Sequence, residues 1–274
     1  MVEIRRPAVA GMFYPANPEK LQAQITGLFD KVEKTPESDI SIQGIVAPHA
    51  GYVYSGLTAS YAYKPLAEKK YTKIIILSPS HREYFGGISI YDGDAWDTPL
   101  GRVLIAKDVA DKMEASSPAI MRSQAGHRDE HGVEVHLPFL QHLYGKDFEF
   151  VPVVMGDQSH NNIVELSHAL LEVMDDDTLI VASSDLSHFY TKSVANTLDS
   201  VIADRIVQYD PDSLEHDLSN RNTEACGGGL VVAMMKATKR AGVRHSLLLH
   251  RSDSGDVSGD NSSVVGYLSA SFYN

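Results

Sequence analysis

A single cysteine, Cys226, stands among 274 residues. That excludes an internal disulfide, a four-cysteine zinc site and an iron–sulfur cluster held by this chain alone. Long apolar runs are missing as well, and none approaches the roughly 18 residues that a membrane-spanning helix needs. The first residues, Met1 to Pro7, lack the apolar segment of a secretory signal. Basic residues are scarce, 24 against 36 acidic ones, for a formal net charge of −12. This balance argues against a nucleic-acid partner, which calls for clustered Lys and Arg, and against an anionic membrane surface. Several catalytic signatures are absent too: the Gly-x-Ser-x-Gly elbow, the phosphate loop, the dinucleotide turn and His-Glu-x-x-His. What remains is a cytoplasmic protein with 43% apolar residues, ample for one large domain or two small ones.

The most informative stretch is Ile45 to Gly56, Ile-Val-Ala-Pro-His-Ala-Gly-Tyr-Val-Tyr-Ser-Gly. A buried strand over Ile42 to Ala47 is cut off by Pro48, which has no N–H to donate. His49 follows at once, and Gly51 and Gly56 let the chain turn into a helix expected from about Ser55 to Leu66. A second short apolar run, Lys73 to Pro79, ends in Ser80-His81, and a third, Thr178 to Ala182, ends in Ser183-Ser-Asp-Leu-Ser-His188. In open α/β sheets, ligands sit beyond the carboxyl ends of the strands. His49, His81, Asp185 and His188 are therefore candidate site residues; the alternative is histidines hydrogen-bonded as ordinary structure.

Helices are expected where Asn17 caps and Pro18 opens a run with Leu21, Ile25, Leu28 and Phe29 on one face. Others are predicted over Lys107 to Ala115, from Leu137 to Tyr144, over His160 to Met174, over Val194 to Tyr209 and from Pro211. Short strands are predicted within Gly86 to Ile105, and longer ones over Phe148 to Met155, Val243 to His250 and Ser263 to Phe272. Lys34 to Ser41 reads as a connecting loop. Ser252 to Ser262 reads as a mobile loop, its Asp spacing unlike that of a calcium loop. Alternating strands and helices, with no repeat and no linker, predict a single α/β/α domain over 1–274 with a largely parallel or mixed sheet.

Thr223 is expected to cap a helix whose first turns contain Cys226, Gly227, Gly228 and Gly229. A helix N-terminus lowers a thiol's pKa, and the glycines leave room for something to approach the backbone. Two neutral imidazoles and a thiolate make a credible site for zinc, iron or copper with positions left for substrate. The competing reading is a small buried cysteine. Asp185 could orient His188 as an acid–base residue. Between Gln124 and His136 lie His127, Asp129, Glu130, His131, Glu134 and His136. His131, Glu134 and His136 are candidates to brace the site or touch a substrate, against the commoner outcome of a solvated loop.

Several pieces, in order along nearly the whole chain, resemble the Memo family. They are the aromatic turn within Ala8 to Pro15, Ala47 to Gly56, Leu77 to His81, Asp129 to Pro138, Ser183 to His188 and the Cys226 turn. The resemblance implies a fold like that of class III extradiol dioxygenases, which hold iron(II) on two histidines and a carboxylate and use another histidine as acid–base. On that resemblance His49 and His81 are the ligand histidines, His188 is the acid–base residue, and Cys226 replaces the carboxylate. A thiolate donates more charge and suits softer metals such as copper(I). The implied activity is iron(II)- or copper(I)-dependent redox chemistry on a small substrate, such as an aromatic one, with a functional link to a radical-SAM protein. Two rivals stand beside it: a cysteine hydrolase using Cys226, His188 and Asp185, and a non-catalytic adaptor that binds peptides in the same cleft.

Overall fold

The computed structural model describes residues 2–33 and 40–274. The loop expected over Lys34 to Ser41 therefore lies, apart from Ile40 and Ser41, outside the described residues.

The strands in chain order are β1 (Ile4–Arg5), β2 (Ile42–Ala47), β3 (Lys73–Pro79), β4 (Ile88–Tyr91), β5 (Ala95–Thr98), β6 (Gly101–Ile105), β7 (Ile120–Ser123), β8 (Glu149–Met155), β9 (Thr178–Ser183), β10 (His188–Tyr190), β11 (His245–Asp253) and β12 (Val264–Tyr273). The helices are α1 (Pro18–Phe29), α2 (Tyr52–Tyr63), α3 (Lys107–Ser116), α4 (Leu137–Tyr144), α5 (His160–Val173), α6 (Lys192–Val207), α7 (Pro211–Ser219), α8 (Gly228–Arg240) and α9 (Gly255–Ser258).

All the strands join one sheet whose main path runs β1-β5-β6-β8-β3-β9-β2-β12-β10. Its centre, β6 to β2 along that path, is parallel, while β12 pairs antiparallel with β2, β10 and β11. The sheet is mixed, with helices on both faces. Side chains alternate between two cores as the period of a strand demands. In β3, Ile75 and Leu77 enter the core under α3, α5, α6, α7 and α8, while Ile74 and Ile76 enter the one under α1, α2 and α4. In β9, Ile180 and Ala182 face the first core, and Leu179 and Val181 the second. Burial on both faces explains why these strands read as unbroken apolar runs rather than as alternating ones.

Most predicted elements recur within two or three residues. Asn17 caps α1, its side chain accepting from the Lys20 amide at 2.9 Å. The helix expected from Ser55 begins earlier, at Tyr52, because Gly51 is its cap and the Tyr52 amide donates to the Phe13 carbonyl. It tightens into a 3₁₀ turn at Lys64, where Pro65 follows. Two expectations fail. Thr223 caps nothing: its hydroxyl donates to the Leu198 carbonyl, α8 starts only at Gly228, and Cys226 sits in the turn before it. Ser252 to Ser262 is not an open loop. Its start completes β11, Gly255–Ser258 is a helical turn, and Lys192 bridges Asp253 and Asp256.

No helix among the described residues is long and apolar enough to cross a membrane.

Candidate metal centre

Three neighbouring parallel strands, β3, β9 and β2, stop at the same edge of the sheet, and the chemistry gathers there. His49 comes just after β2, beyond Pro48, and is 2% exposed. His81 comes two residues after the end of β3. Cys226 is delivered from the other side by the turn into α8. The turn fits only because Gly227 has no side chain, since a Cβ there would lie 2.2 Å from the Ser183 carbonyl oxygen at the end of β9. That contact presses the Cys226 segment against the strand ends. Cys226 Sγ lies 3.1 Å from His49 Nε2 and accepts from the Asp185 amide at 3.2 Å. One donor atom each from His49, His81 and Cys226 falls within 4.8 Å of the others.

Each imidazole is gripped from behind. His49 Nδ1 is 2.6 Å from Ser183 Oγ, and His81 Nδ1 is 2.8 Å from Glu130 Oε1. The second Glu130 oxygen accepts the His81 amide at 2.6 Å. In both rings Nδ1 is occupied and Nε2 is left for a ligand bond. Bond lengths of about 2.0–2.3 Å to nitrogen and sulfur set two donors on one tetrahedral ion roughly 3.5 Å apart. The His49–Cys226 pair is already close to that spacing, and a small swing of the partly exposed His81 ring completes the set. The donors fit iron or copper, and the sulfur favours the softer ion.

Burial governs the protonation of the cluster. It holds His49 well below the ordinary imidazole range, reinforced by His81, His131, His136 and His188 nearby. It also holds His131 down to about 4 and His136 to about 3. The Cys226 thiol is pushed up, first by burial and then by the Asp185 carboxylate. This reverses the expectation of a thiol acidified by a helix end, because Cys226 lies in the turn before the helix rather than in its first turn. A bare thiolate is unfavourable here, and a cation on the sulfur would remove the penalty.

The stretch from His127 to His136 is not a solvated loop. His127, Glu130, Glu134 and His136 are buried. His131 stacks against His81 with ring centroids 4.6 Å apart, and lies 5.4 Å from His49 and 4.9 Å from Phe13. His136 lies 2.8 Å from Ser183 Oγ and so braces the His49 side. Glu134 is elsewhere. Its carboxylate accepts from Arg5 Nη1 at 2.7 Å, from the Ala8 and Val9 amides and from the Tyr14 hydroxyl, anchoring the N-terminal segment. It touches neither metal donors nor a substrate space.

Asp185 does not orient His188. Its carboxylate accepts the His49 amide at 2.8 Å and the Ala50 amide, and burial pushes it up to about 7. His188 lies near enough for its charge to act on His49 and to feel that of His81. Its amide donates to Glu224 at 3.1 Å, and burial lowers its pKa while a contact to the Leu186 carbonyl opposes the shift. The Cys226–His188–Asp185 triad is therefore not assembled, since the imidazole on the sulfur is His49 and the carboxylate is on backbone amides.

A family model described as Memo-like protein matches residues 5–271. The chain belongs to the Memo family. A MEMO1 family protein of Thermoplasma volcanium is 38% identical, the alignment covering 97% of both chains. One from Methanosarcina mazei is 36% identical over 97% of this chain and 98% of its own. A solved structure of an uncharacterized protein from Escherichia coli K12 superposes with a TM-score of 0.58 at 12% identity, covering 84% of this chain and 99% of that one. That likeness speaks for the fold alone.

For this Memo family member, sequence reasoning missed three residues that shape the site. Glu130 holds His81, Ser183 holds His49, and Tyr63 lies 2.8 Å from His136 Nδ1. Glu130 was within reach, being one of three carboxylates in a stretch already picked out as rich in His and Glu. Ser183 and Tyr63 carry no signal, because a strand-end serine and a helical tyrosine look alike in any α/β chain.

Proposed function

We propose that this chain is a cytoplasmic metal-dependent redox enzyme, with iron(II) or copper(I) held by His49, His81 and Cys226. The observation that carries the reading is the convergence of those donors from three distant segments to within 4.8 Å, each imidazole with its Nε2 left free. Such an ion supplies redox chemistry that side chains alone do not provide. The protein's part is to hold it, to keep water away and to place the substrate.

His188 suits the role of proton carrier. Burial favours its neutral form, which can accept a proton. Glu224 steadies it by accepting its amide and the Tyr190 hydroxyl. Phe189 is 76% exposed and sits at φ 66°, a left-handed conformation unusual for an aromatic residue. Beside the Cys226 segment opens a cavity of about 570 Å³ lined by Gln158, Tyr190, Arg221, Glu224 and Gly228, among others. The cavity meets this end of the site through Tyr190 and Glu224 and is not lined by His49, His81, His188 or Cys226, so the exposed rings beside a base are what suit a small aromatic substrate.

The test is an anaerobic titration of metal-free protein with iron(II) and copper(I), followed by oxygen uptake with candidate phenols. One metal should bind per chain, and uptake should disappear on chelation and return on adding metal back. Binding that survives Cys226→Ala and His81→Ala together would end this reading. A peptide ligand whose affinity is indifferent to chelation and to Cys226→Ala would favour the adaptor instead.

A further inference from the structure

Behind His49 runs a buried chain of polar groups: Tyr63 hydroxyl, His136 ring, Ser183 hydroxyl, His49 ring, Cys226 sulfur. The successive distances are 2.8, 2.8, 2.6 and 3.1 Å. Ser183 Oγ is the branch point, because it also lies 2.6 Å from the Gly132 carbonyl oxygen. A serine hydroxyl has one proton and two lone pairs. A carbonyl oxygen can only accept, so the Ser183 proton goes to Gly132. Both imidazole nitrogens facing Ser183 Oγ must then be donors.

The consequence follows ring by ring. His49 carries its proton on Nδ1, and its Nε2 lone pair points to Cys226. His136 carries its proton on Nε2, and its Nδ1 accepts the Tyr63 hydroxyl. A neutral imidazole has one proton to place, and these contacts fix on which nitrogen it sits. Every donor and acceptor in the chain is matched, which is what buried polar groups demand.

We infer that the Ser183 hydroxyl is a positioning group that sets opposite tautomers on His49 and His136, and so presents the His49 Nε2 lone pair to the metal position before any metal arrives. Without that hydroxyl, His49 is free to move its proton to Nε2 and donate to the sulfur, closing the very position a metal would use. Through its value for metal binding the inference rests on the proposed reading of His49 as a ligand; the tautomers themselves do not depend on it.

The experiment is long-range ¹H–¹⁵N NMR of the metal-free full chain labelled at histidine. His49 should give a protonated Nδ1 and a bare Nε2, and His136 the reverse. In Ser183→Ala the His49 signals should move to a mixture of tautomers or to the Nε2–H form. Iron(II) and copper(I) affinities should fall by about 10–100-fold, the range for losing a group that orients a ligand. Ser183→Thr should restore both. Tyr63→Phe, at the far end, should leave the His49 tautomer alone. A native His49 protonated on Nε2 would overturn the inference even if Ser183→Ala proved too unstable to study, and so would a His49 tautomer that Ser183→Ala does not alter. Tautomers as stated in a protein that binds neither metal would instead end the metal reading and leave this one standing.

Discussion

Glu130 and Glu134 lie four residues apart in the same stretch, both buried and both saturated with hydrogen bonds, yet they serve opposite ends. Glu134 faces Arg5, a permanent cation as buried as itself. The Arg5 guanidinium also lies 4.0 Å over the Trp96 ring and donates to the His127 and Glu130 carbonyls. This charge pair is complete and acts as a fastening. Glu130 has no permanent cation. Its carboxylate accepts the His81, His131 and Gly132 amides and the His81 ring. Burial raises its pKa, but His81 and the amides outweigh that and hold it down to about 2. It stays charged beside a histidine, which strengthens the far nitrogen of that ring as a ligand and leaves negative charge for a cation to balance. Equal burial and equal residue type thus give a structural clamp in one case and a ligand holder in the other. The countercharge decides.

The largest expected effect separates the two directly. Glu134→Gln strands the Arg5 charge in the core and should cost about 3–5 kcal/mol in urea unfolding, while metal affinity of the folded protein stays within about twofold. A loss near zero would mean the pair is not the fastening described. Glu130→Gln should do the reverse. It should lower iron(II) and copper(I) affinity by roughly 10–100-fold, about 1.4–2.7 kcal/mol, with a smaller loss of stability than Glu134→Gln. Matching profiles for the two variants would erase the distinction. Cys226→Ser, nearly isosteric, should weaken copper(I) by about tenfold more than iron(II), because only the first depends on soft sulfur. Equal losses for the two metals would make the sulfur a bystander.

The smallest effect tests the clamp side by pH. Burial holds His127 down to about 3, with its ring against the Ser89 carbonyl. The unfolded chain binds a proton there that the folded chain refuses. Its stabilising contribution is complete above the unfolded pKa of about 6.5 and is lost as pH falls towards 3. At pH 6 that amounts to about 0.8 kcal/mol relative to pH 8. His127→Gln should flatten the pH dependence of unfolding by that amount, and an unchanged curve would show that His127 is not held neutral.

Much of this was legible because period and punctuation carry it. Apolar runs ending in Pro-His or Ser-Ser-Asp mark strands that stop where polar atoms are needed, and His49 and His81 followed from that alone. The partners of those histidines were hidden for a physical reason. Glu130 and Ser183 act through contacts across more than 40 residues of chain, and nothing local says which histidine each one holds. The triple glycine was read as room for something to approach the backbone, and something does. The neighbours that need the room belong to the protein: the Ser183 carbonyl at Gly227, Leu218 at Gly228 and Gln158 at Gly229. Asp185 was matched to His188 by nearness in sequence, whereas the sheet brings it to the His49 amide.

The place of β12 in the sheet has a further consequence for how the protein comes into being. It pairs with β2, register Ile45 to Ser271 and Val46 to Ala270, although every other described strand precedes it in the chain. A ribosome therefore makes the His49 strand early and its neighbour last, so one edge of β2 has to wait for nearly the entire chain. Contacts of such long sequence separation slow folding, since a large loop must close before they form. A growing chain halted before Val264 holds His49, His81 and Cys226 yet lacks the strand that covers this edge of β2.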